Sequence, residues 1–185
     1  MTLPETINAG ELVLKRWETA YAEAAAKAVR DSLPELEPFM PWAHQGYDVA
    51  ESRSFIERSA DEWAEGTAFN YAVFTVAGEL VGSCGLMTRM GAGTLEIGYW
   101  IHSGHIGRGY ASAAAIAVTR VGLALPGIER MVIRHDAANP ASGAVAAKAG
   151  FRPIERVHRD PEAPGETGVD VLWERRASIP APAER

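Results

Sequence analysis

Among 185 residues there is one cysteine, Cys84. With no second thiol, no disulfide within the chain and no Cys-x-x-Cys pair can form, and its apolar neighbours Leu80, Val81 and Leu86 predict a buried structural thiol. No stretch approaches 18 uninterrupted apolar residues, which argues against a membrane-spanning helix. Met1 to Gly10 lacks the basic and apolar regions of a secretion signal. Positive charge is in deficit, with a net charge of −6, so nothing favours bulk nucleic acid or an anionic membrane as partner. Histidine, cysteine and carboxylate clusters at metal-ligand spacing are missing too, and no metal is expected. These absences predict a cytoplasmic protein with no nucleic-acid or membrane partner. No internal repeat or linker divides the chain. One domain is expected over residues 1–177, followed by a mobile tail at 178–185 that carries two prolines and a charged end. A domain of this size buries roughly 70% of its unfolded surface, enough for a core without staples.

What is present is a sequence of alternating elements. Glu11 to Trp17 reads as a strand, and Thr19 as the cap of an alanine-rich helix over Tyr21 to Arg30. Pro34, Pro38 and Pro41 forbid one long helix between Leu33 and Trp42, so a short turn and a loop are expected there. Phe39, Met40 and Trp42 make that loop unusually apolar; they suit packing over the core and walling an acceptor pocket equally. Asp48 to Gly66 reads as a helix with Ala50, Phe55, Ile56, Ala60 and Trp63 near one face. Phe69 to Val76, Glu79 to Met87 and Thr94 to His102 follow as strands joined by Ala77-Gly78 and Gly91-Ala92-Gly93, an antiparallel meander. After Gly109, Tyr110, Ala113, Ala114, Ala117, Val118 and Val121 recur at helical spacing. Arg130 to His135 reads as a strand, Asn139-Pro140 opens a short helix that ends at Gly150, and Phe151 to Val157 and Val169 to Arg176 close the domain as strands.

The chemistry concentrates where a strand, Glu96-Ile97-Gly98-Tyr99-Trp100-Ile101-His102, runs into Gly107-Arg108-Gly109-Tyr110-Ala111 and a long helix. The first turn of a helix leaves four N–H groups without internal partners and carries partial positive charge. Glycines let that backbone come close to an anion, so the arrangement suits phosphate, with Arg108 adding a charge-assisted contact. It is not a Walker loop, because no Gly-Lys-Ser/Thr follows. Nor does it fit a dinucleotide fingerprint, whose glycine spacing differs and whose strands are not a meander.

About 30 residues on stands a second unit, Asn139-Pro140-Ala141-Ser142, Val145 and Ala149-Gly150-Phe151. With both units in place, the chain from Leu12 to Trp173 resembles the GNAT superfamily of acyl-CoA-dependent N-acyltransferases. Ile106-Gly107-Arg108-Gly109-Tyr110-Ala111 is similar to its pyrophosphate motif, Gln/Arg-x-x-Gly-x-Gly/Ala, with Ile106 where glutamine or arginine is commonest. Met40-Pro41-Trp42 and Gly98-Tyr99-Trp100 resemble the branch of ribosomal-protein N-terminal (alanine/serine) acetyltransferases, which also includes members acting on other amines.

The resemblance implies an α/β (α+β) fold, a mixed, mostly antiparallel sheet of six to seven strands with helices on both faces. It implies acetyl-CoA as donor, a primary amine as acceptor and direct transfer in a ternary complex. It also extends to this chain the homodimer often seen in the branch. Backbone of Tyr99, Trp100 and Ile101 would pair with the pantetheine arm and polarise the carbonyl, while the side chains of Tyr99 and Trp100 suit core or pocket wall as well. Gly107, Arg108, Gly109, Tyr110 and Ala111 would hold the pyrophosphate. Asn139 would touch the pantetheine arm, and also suits an N-cap before a proline at the first helical position. Ser142 would be the general acid for the leaving thiolate, and also suits satisfying the helix end. An amine must lose a proton before it attacks a thioester. Glu96, a carboxylate in an otherwise apolar strand, is the candidate base, acting directly or through water, and His135 is a second candidate. His102 and His105 are expected to be solvated. The acceptor predicted first is a protein N-terminal α-amine. A polyamine or aminoglycoside, a non-catalytic acyl-CoA-binding module and acyl groups longer than acetyl stay open.

Overall fold

The structure, a computed structural model, describes residues 1–177. The expected mobile tail at 178–185 lies outside the described residues. In chain order the elements are β1 (Thr6–Ala9), β2 (Leu12–Arg16), α1 (Ala22–Asp31), α2 (Leu33–Leu36), α3 (Val49–Glu65), β3 (Ala68–Thr75), β4 (Leu80–Met87), β5 (Thr94–Ile101), α4 (Tyr110–Leu123), β6 (Arg130–Asp136), α5 (Pro140–Lys148), β7 (Arg152–His158) and β8 (Val169–Arg176). They build one eight-stranded sheet in the order β1-β2-β3-β4-β5-β6-β8-β7. Every neighbouring pair is antiparallel except β5 and β6.

The sheet has one strand more than the upper sequence expectation. The addition is β1, hidden in a segment whose polar residues and proline mask its pattern. Ile7 is buried, and Gly10, at φ 67°, turns the chain tightly enough for β1 to pair with β2. Thr19 does not cap α1. It opens a 3-10 turn, Thr19–Tyr21, and α1 starts at Ala22 without a side-chain cap. α3 begins and ends as its sequence indicates. Asp48 accepts from Glu51 N–H while Glu51 reaches back to Asp48 N–H, and Gly66, at φ 74°, closes the helix. Its inward face is carried by Ser52, Ile56 and Ser59 with Phe55 and Trp63 packed alongside, whereas Ala50 is exposed. The proline-rich stretch holds a single helical turn, α2, and a loop.

Alternation along each strand sorts side chains to two faces. Leu12, Leu14, Tyr71, Val73, Leu86, Leu95 and Ile97 pack against Ala114, Ala115 and Val118 of α4, where alanine lets the helix lie close to the sheet. Ala72 and Leu80 face the other way, against Trp17, Ala25, Ala28 and Ile56 of the α1–α3 side. Helices therefore cover both faces. No helix among the described residues is long and apolar enough to cross a membrane.

One irregularity prepares the site. β5 and β6 pair in parallel only from Thr94↔Arg130 to Ile97↔Ile133. Beyond that point β5 continues with β4 to Ile101, and β6 continues with β8 to Asp136. The two strands part, and Gly98 to Ile101 keep one backbone edge without a strand partner.

Candidate active site

The parted strands open into a cleft of about 230 Å³ that reaches both sides of the sheet. On the α4 side it is bounded by Tyr99, Asn139, Ser142 and His135; on the other by Glu96, Arg89, Arg134 and the loops carrying Phe39–Pro41 and Arg159–Glu166.

The α4 side is built for an anion. Gly107 and Gly109 adopt φ 77° and 80°, conformations an L side chain resists, and the turn they form delivers the chain into Tyr110. The first turn of α4 has no side-chain cap and no acidic residue, so its N–H groups and partial positive charge face outward uncompensated. Gly107, Arg108 and Gly109 are exposed, as is Ile106, which offers no polar group where the family motif most often has one. Tyr110 stacks on His105, with centroids 5.9 Å apart and planes 21° from parallel. Ala111 is half-buried behind it.

His105 departs from its expected solvation. It is buried, its Nε2 meets Glu79 Oε1 at 3.0 Å, and its Nδ1 has no partner among the described residues. His102 is half-buried, accepts from Gly104 N–H through Nδ1 and faces Asp31 through Nε2. Both rings stiffen the turn ahead of the glycines.

Two sequence candidates 43 residues apart meet in the cleft. The Tyr99 hydroxyl lies 2.9 Å from Ser142 Oγ and 3.1 Å from the Ser142 carbonyl oxygen. Burial pushes the Tyr99 phenol up to about 12 against the opposing effect of the serine contact, so it keeps its proton at neutral pH. Asn139 caps α5, its Oδ1 accepting from Ser142 N–H at 3.1 Å, with Pro140 in the first turn. The cap uses the carbonyl end of the side chain and leaves its amide N–H groups for another partner. Trp100 points to the opposite face from Tyr99, packs with Trp42 at 6.2 Å and, like Met40, rests against the cluster of Ala26, Val29 and Leu36. Ile101, half-buried, ends the free edge opposite Gly82.

Glu96 is buried but not isolated. Its two oxygens take Arg89 Nε and Nη2 at 2.6 and 2.8 Å, a two-pronged pair, and Oε1 also faces Arg134 Nε at 3.4 Å. The sequence placed this carboxylate in an apolar strand without seeing the two arginines that accompany it. His135 is no free base. Its Nδ1 lies 2.8 Å from the Asp136 carbonyl, and its Nε2 receives Trp173 Nε1–H at 3.0 Å. Those partners fix the proton on Nδ1 and occupy the remaining lone pair.

Beyond the apolar loop at Phe39–Pro41, the outer wall was not foreseen. Arg134 meets Asp170 at 3.4 Å, and Arg159 meets Asp170 at 2.9 Å and both oxygens of Glu166 at 2.7 and 2.9 Å. Hydrogen bonds from Arg159 hold the Glu166 carboxyl below its ordinary range despite burial. Asp136, at the end of β6, accepts from the N–H groups of Ala138, Thr167 and Gly168 and from the Thr167 hydroxyl at 2.8–3.0 Å. Burial works against its charge, but these donors outweigh it and hold the carboxyl well below the usual range. Thr167 and Gly168 lie about 30 residues from Asp136 in a loop, whereas the Arg89–Glu96 pair had a readable signal: the Gly91–Gly93 turn folds Met87 back opposite Glu96.

Residues 11–152 match the sequence profile described as acetyltransferase (GNAT) domain. An uncharacterized N-acetyltransferase, p20, of Bacillus licheniformis is 27% identical over 143 residues, spanning 75% of this chain and 77% of its own. Among solved structures, a ribosomal L7/L12 α-N-protein acetyltransferase, RimL, in complex with coenzyme A superposes with a TM-score of 0.84 at 21% identity, covering 93% of this chain and 98% of that one. RimJ of Mycobacterium smegmatis, in complex with a CoA disulfide, gives 0.83 at 24% identity over 94% and 88%. The microcin C7 self-immunity acetyltransferase MccE, in complex with acetyl-CoA and AMP, gives 0.83 at 20% identity over 90% and 93%.

Proposed function

The chain belongs to the GNAT acetyltransferase family, whose members are acetyl-CoA-dependent acyltransferases, and from that premise we propose that it acetylates an N-terminal α-amine of a protein or peptide. The observation that carries this reading is the parting of β5 and β6 beyond Ile97 and Ile133, which joins the anion-ready face of the sheet to the face holding Glu96. The uncapped first turn of α4 and the unpaired edge of β5 suit acetyl-CoA, a long anionic donor with an amide-bearing arm. When bound, acetyl-CoA supplies a thioester whose acyl carbon passes to the amine nitrogen as the carbon–sulfur bond breaks and the sulfur leaves as a thiolate.

The chain's own groups divide that work. N–H groups at Gly107, Gly109, Tyr110 and Ala111, with the Arg108 guanidinium, hold the pyrophosphate. Backbone of Tyr99, Trp100 and Ile101 and the free amide of Asn139 align the arm and polarise the acyl carbonyl. Ser142 gives its hydroxyl proton to the departing sulfur and regains one from solvent, and Tyr99 orients that hydroxyl. Glu96 takes the amine's proton, directly or through a water. Arg89 claims two of the roughly four lone-pair positions of its carboxylate, and the Arg134 guanidinium adds a second positive charge 3.4 Å away. So constrained, Glu96 is best matched to an amine that sheds its proton readily. An α-amine ionises near pH 8, a lysine near 10.4, which favours the α-amine. The RimL structure, by name an α-N-protein acetyltransferase, supports the same choice.

A small-molecule amine is the second reading, favoured by the modest cleft volume and by the likeness to MccE. Release of CoA thiol from acetyl-CoA, followed against a panel of N-terminal peptides, polyamines and aminoglycosides, decides between them. Turnover of peptides with a free α-amine, lost on blocking that amine, is the expected result. Turnover of small amines alone would overturn the acceptor and keep the chemistry.

A further inference from the structure

The two loops that wall the acceptor side are joined through their backbones. Gly165 N–H donates to the Pro38 carbonyl at 2.8 Å, tying the loop after α2 to the loop between β7 and β8. The approach is so close that a Cβ on Gly165 would stand 2.6 Å from Pro38 Cβ, 2.7 Å from its carbonyl oxygen and 3.0 Å from its Cα. Gly165 does not have a positive φ, so its backbone accepts an ordinary side chain. What the position demands is the absence of a side chain at the joint.

Each loop is braced from within. On one side Leu36 O accepts from both Phe39 and Met40 N–H, and prolines at 38 and 41 restrict the chain. On the other, Arg159 grips Glu166, Glu166 Oε2 accepts from Glu162 and Ala163 N–H, and Asp136 anchors Thr167 and Gly168. Phe39 and Met40 follow the joint on one strand of chain, Glu162 and Glu166 flank it on the other, and all four line the cleft. The joint therefore makes one continuous wall of two loops and fixes the width between them. The cleft, at about 230 Å³, is below the roughly 300–1,000 Å³ of pockets that take drug-sized molecules.

We infer that the Pro38–Gly165 joint is the size filter for the acceptor, admitting amines whose neighbouring carbon carries a small group and rejecting bulky ones. The inference rests on the transferase reading above and goes beyond it by assigning selectivity to a backbone contact remote from the reacting atoms. Gly165 and Pro38 are specificity-determining through the walls they join, not through contact with the chemistry.

The test uses the full chain and an acceptor series built on the amine that the panel identifies, so a failure of the activity itself appears in the panel and not here. Members of the series differ only in the group beside the reacting amine: hydrogen, methyl, isobutyl and benzyl. Gly165→Ala forces the loops apart with one methyl, and Pro38→Gly loosens the same joint from the other side by removing the facing Cβ and the ring. For both variants the preference for the methyl over the isobutyl acceptor in kcat/KM should fall by roughly tenfold, the scale of discrimination by a methylene-sized change in a pocket. Acetyl-CoA affinity, measured by calorimetry, should stay within twofold of the parent. A joint that only stabilises the fold would lower kcat/KM for every acceptor alike and leave the preference unchanged, and that result in either folded variant overturns the inference.

Discussion

The donor-facing and acceptor-facing halves of the cleft carry charge in different materials. On the α4 side, positive potential resides in peptide N–H groups at the uncapped first turn, beside the hydrogen-bonding free edge of β5. Apart from Arg108 no side chain has to be held in place for it, only the φ angles of Gly107 and Gly109. On the other side, charge resides in a chain of alternating ions that runs Arg89, Glu96, Arg134, Asp170, Arg159, Glu166. Peptide dipoles cannot be deleted by substitution, only displaced, whereas an ion can be removed one at a time and leaves its partner buried and unpaired. Substitutions in the first half should therefore act through geometry and read out in donor affinity. Those in the second should act through charge and read out in stability or in acceptor use.

Ser142 lies at the seam and gives the largest expected effect. Ser142→Ala removes the hydroxyl but keeps the backbone oxygen that Tyr99 also contacts, so the local fold is retained. Loss of general-acid catalysis should lower kcat roughly 10²- to 10³-fold, with acetyl-CoA affinity by calorimetry unchanged. A fall in affinity instead of kcat would move Ser142 from the chemistry to the donor's binding surface. Next comes Gly109→Val. A β-branched residue at φ 80° costs about 1–3 kcal/mol of backbone strain, and the chain relieves it by shifting the start of α4. Acetyl-CoA should bind roughly 10- to 100-fold more weakly, while KM for the amine, measured at saturating donor, stays put. If amine KM rose equally, the division of the cleft into two halves would fail.

The same division explains what could be read from the sequence. The donor half is made of local features, a strand, two glycines and a helix within sixteen residues, Glu96 to Ala111, and these were legible together with the Asn139–Ser142 cap. The antiparallel meander and the alanine face of α4 were legible for the same reason, because each rests on short-range periodicity. β1 was not, since four residues with one buried side chain carry too little alternation. The acceptor half was largely invisible. Glu96 was found, but Arg134, Asp170, Arg159 and Asp136 are charged residues whose meaning comes from partners brought close only by the β6–β8–β7 order. His135 illustrates the error this invites: a histidine at a strand end looked available as a base, and Trp173, 38 residues later, takes its free nitrogen.

A third prediction concerns the anchor of the outer wall. In Asp136→Asn one carboxylate oxygen becomes an N–H group facing N–H donors, which should destabilise the fold by about 2 kcal/mol, read from chemical denaturation at pH 7. The sign of the pH dependence follows from its lowered pKa. The folded protein takes up the proton less readily than the unfolded chain, so this contribution is fully present above the unfolded value near 3.9 and drains away as pH falls further. The variant should accordingly lose less stability than the parent between pH 4 and pH 2. Glu166 and Glu174, also held low by arginines, keep the remaining slope. Equal slopes in the two proteins would mean that Asp136 is not the dominant anchor.

The smallest effect belongs to Tyr99→Phe, and it probes the contact between the halves. The hydroxyl has one proton to give and two acceptors within reach, Ser142 Oγ at 2.9 Å and the Ser142 carbonyl at 3.1 Å. When it donates to Oγ, the serine proton is free to point into the cleft; when it donates to the carbonyl, the serine proton turns back toward the tyrosine. Only the first arrangement serves a leaving thiolate, and it also stabilises the charge that grows on Oγ as its proton departs. Removing a neutral hydrogen bond of about 1 kcal/mol should lower kcat roughly fivefold. With the phenol pushed up to about 12, the loss should be the same from pH 7 to pH 9. In the Ser142→Ala background the same substitution should cost nothing further, because the group it orients is gone. A fivefold loss that persisted in that background would mean that Tyr99 acts on the donor by itself, and the proton to the sulfur would then come from the tyrosine side of the pair.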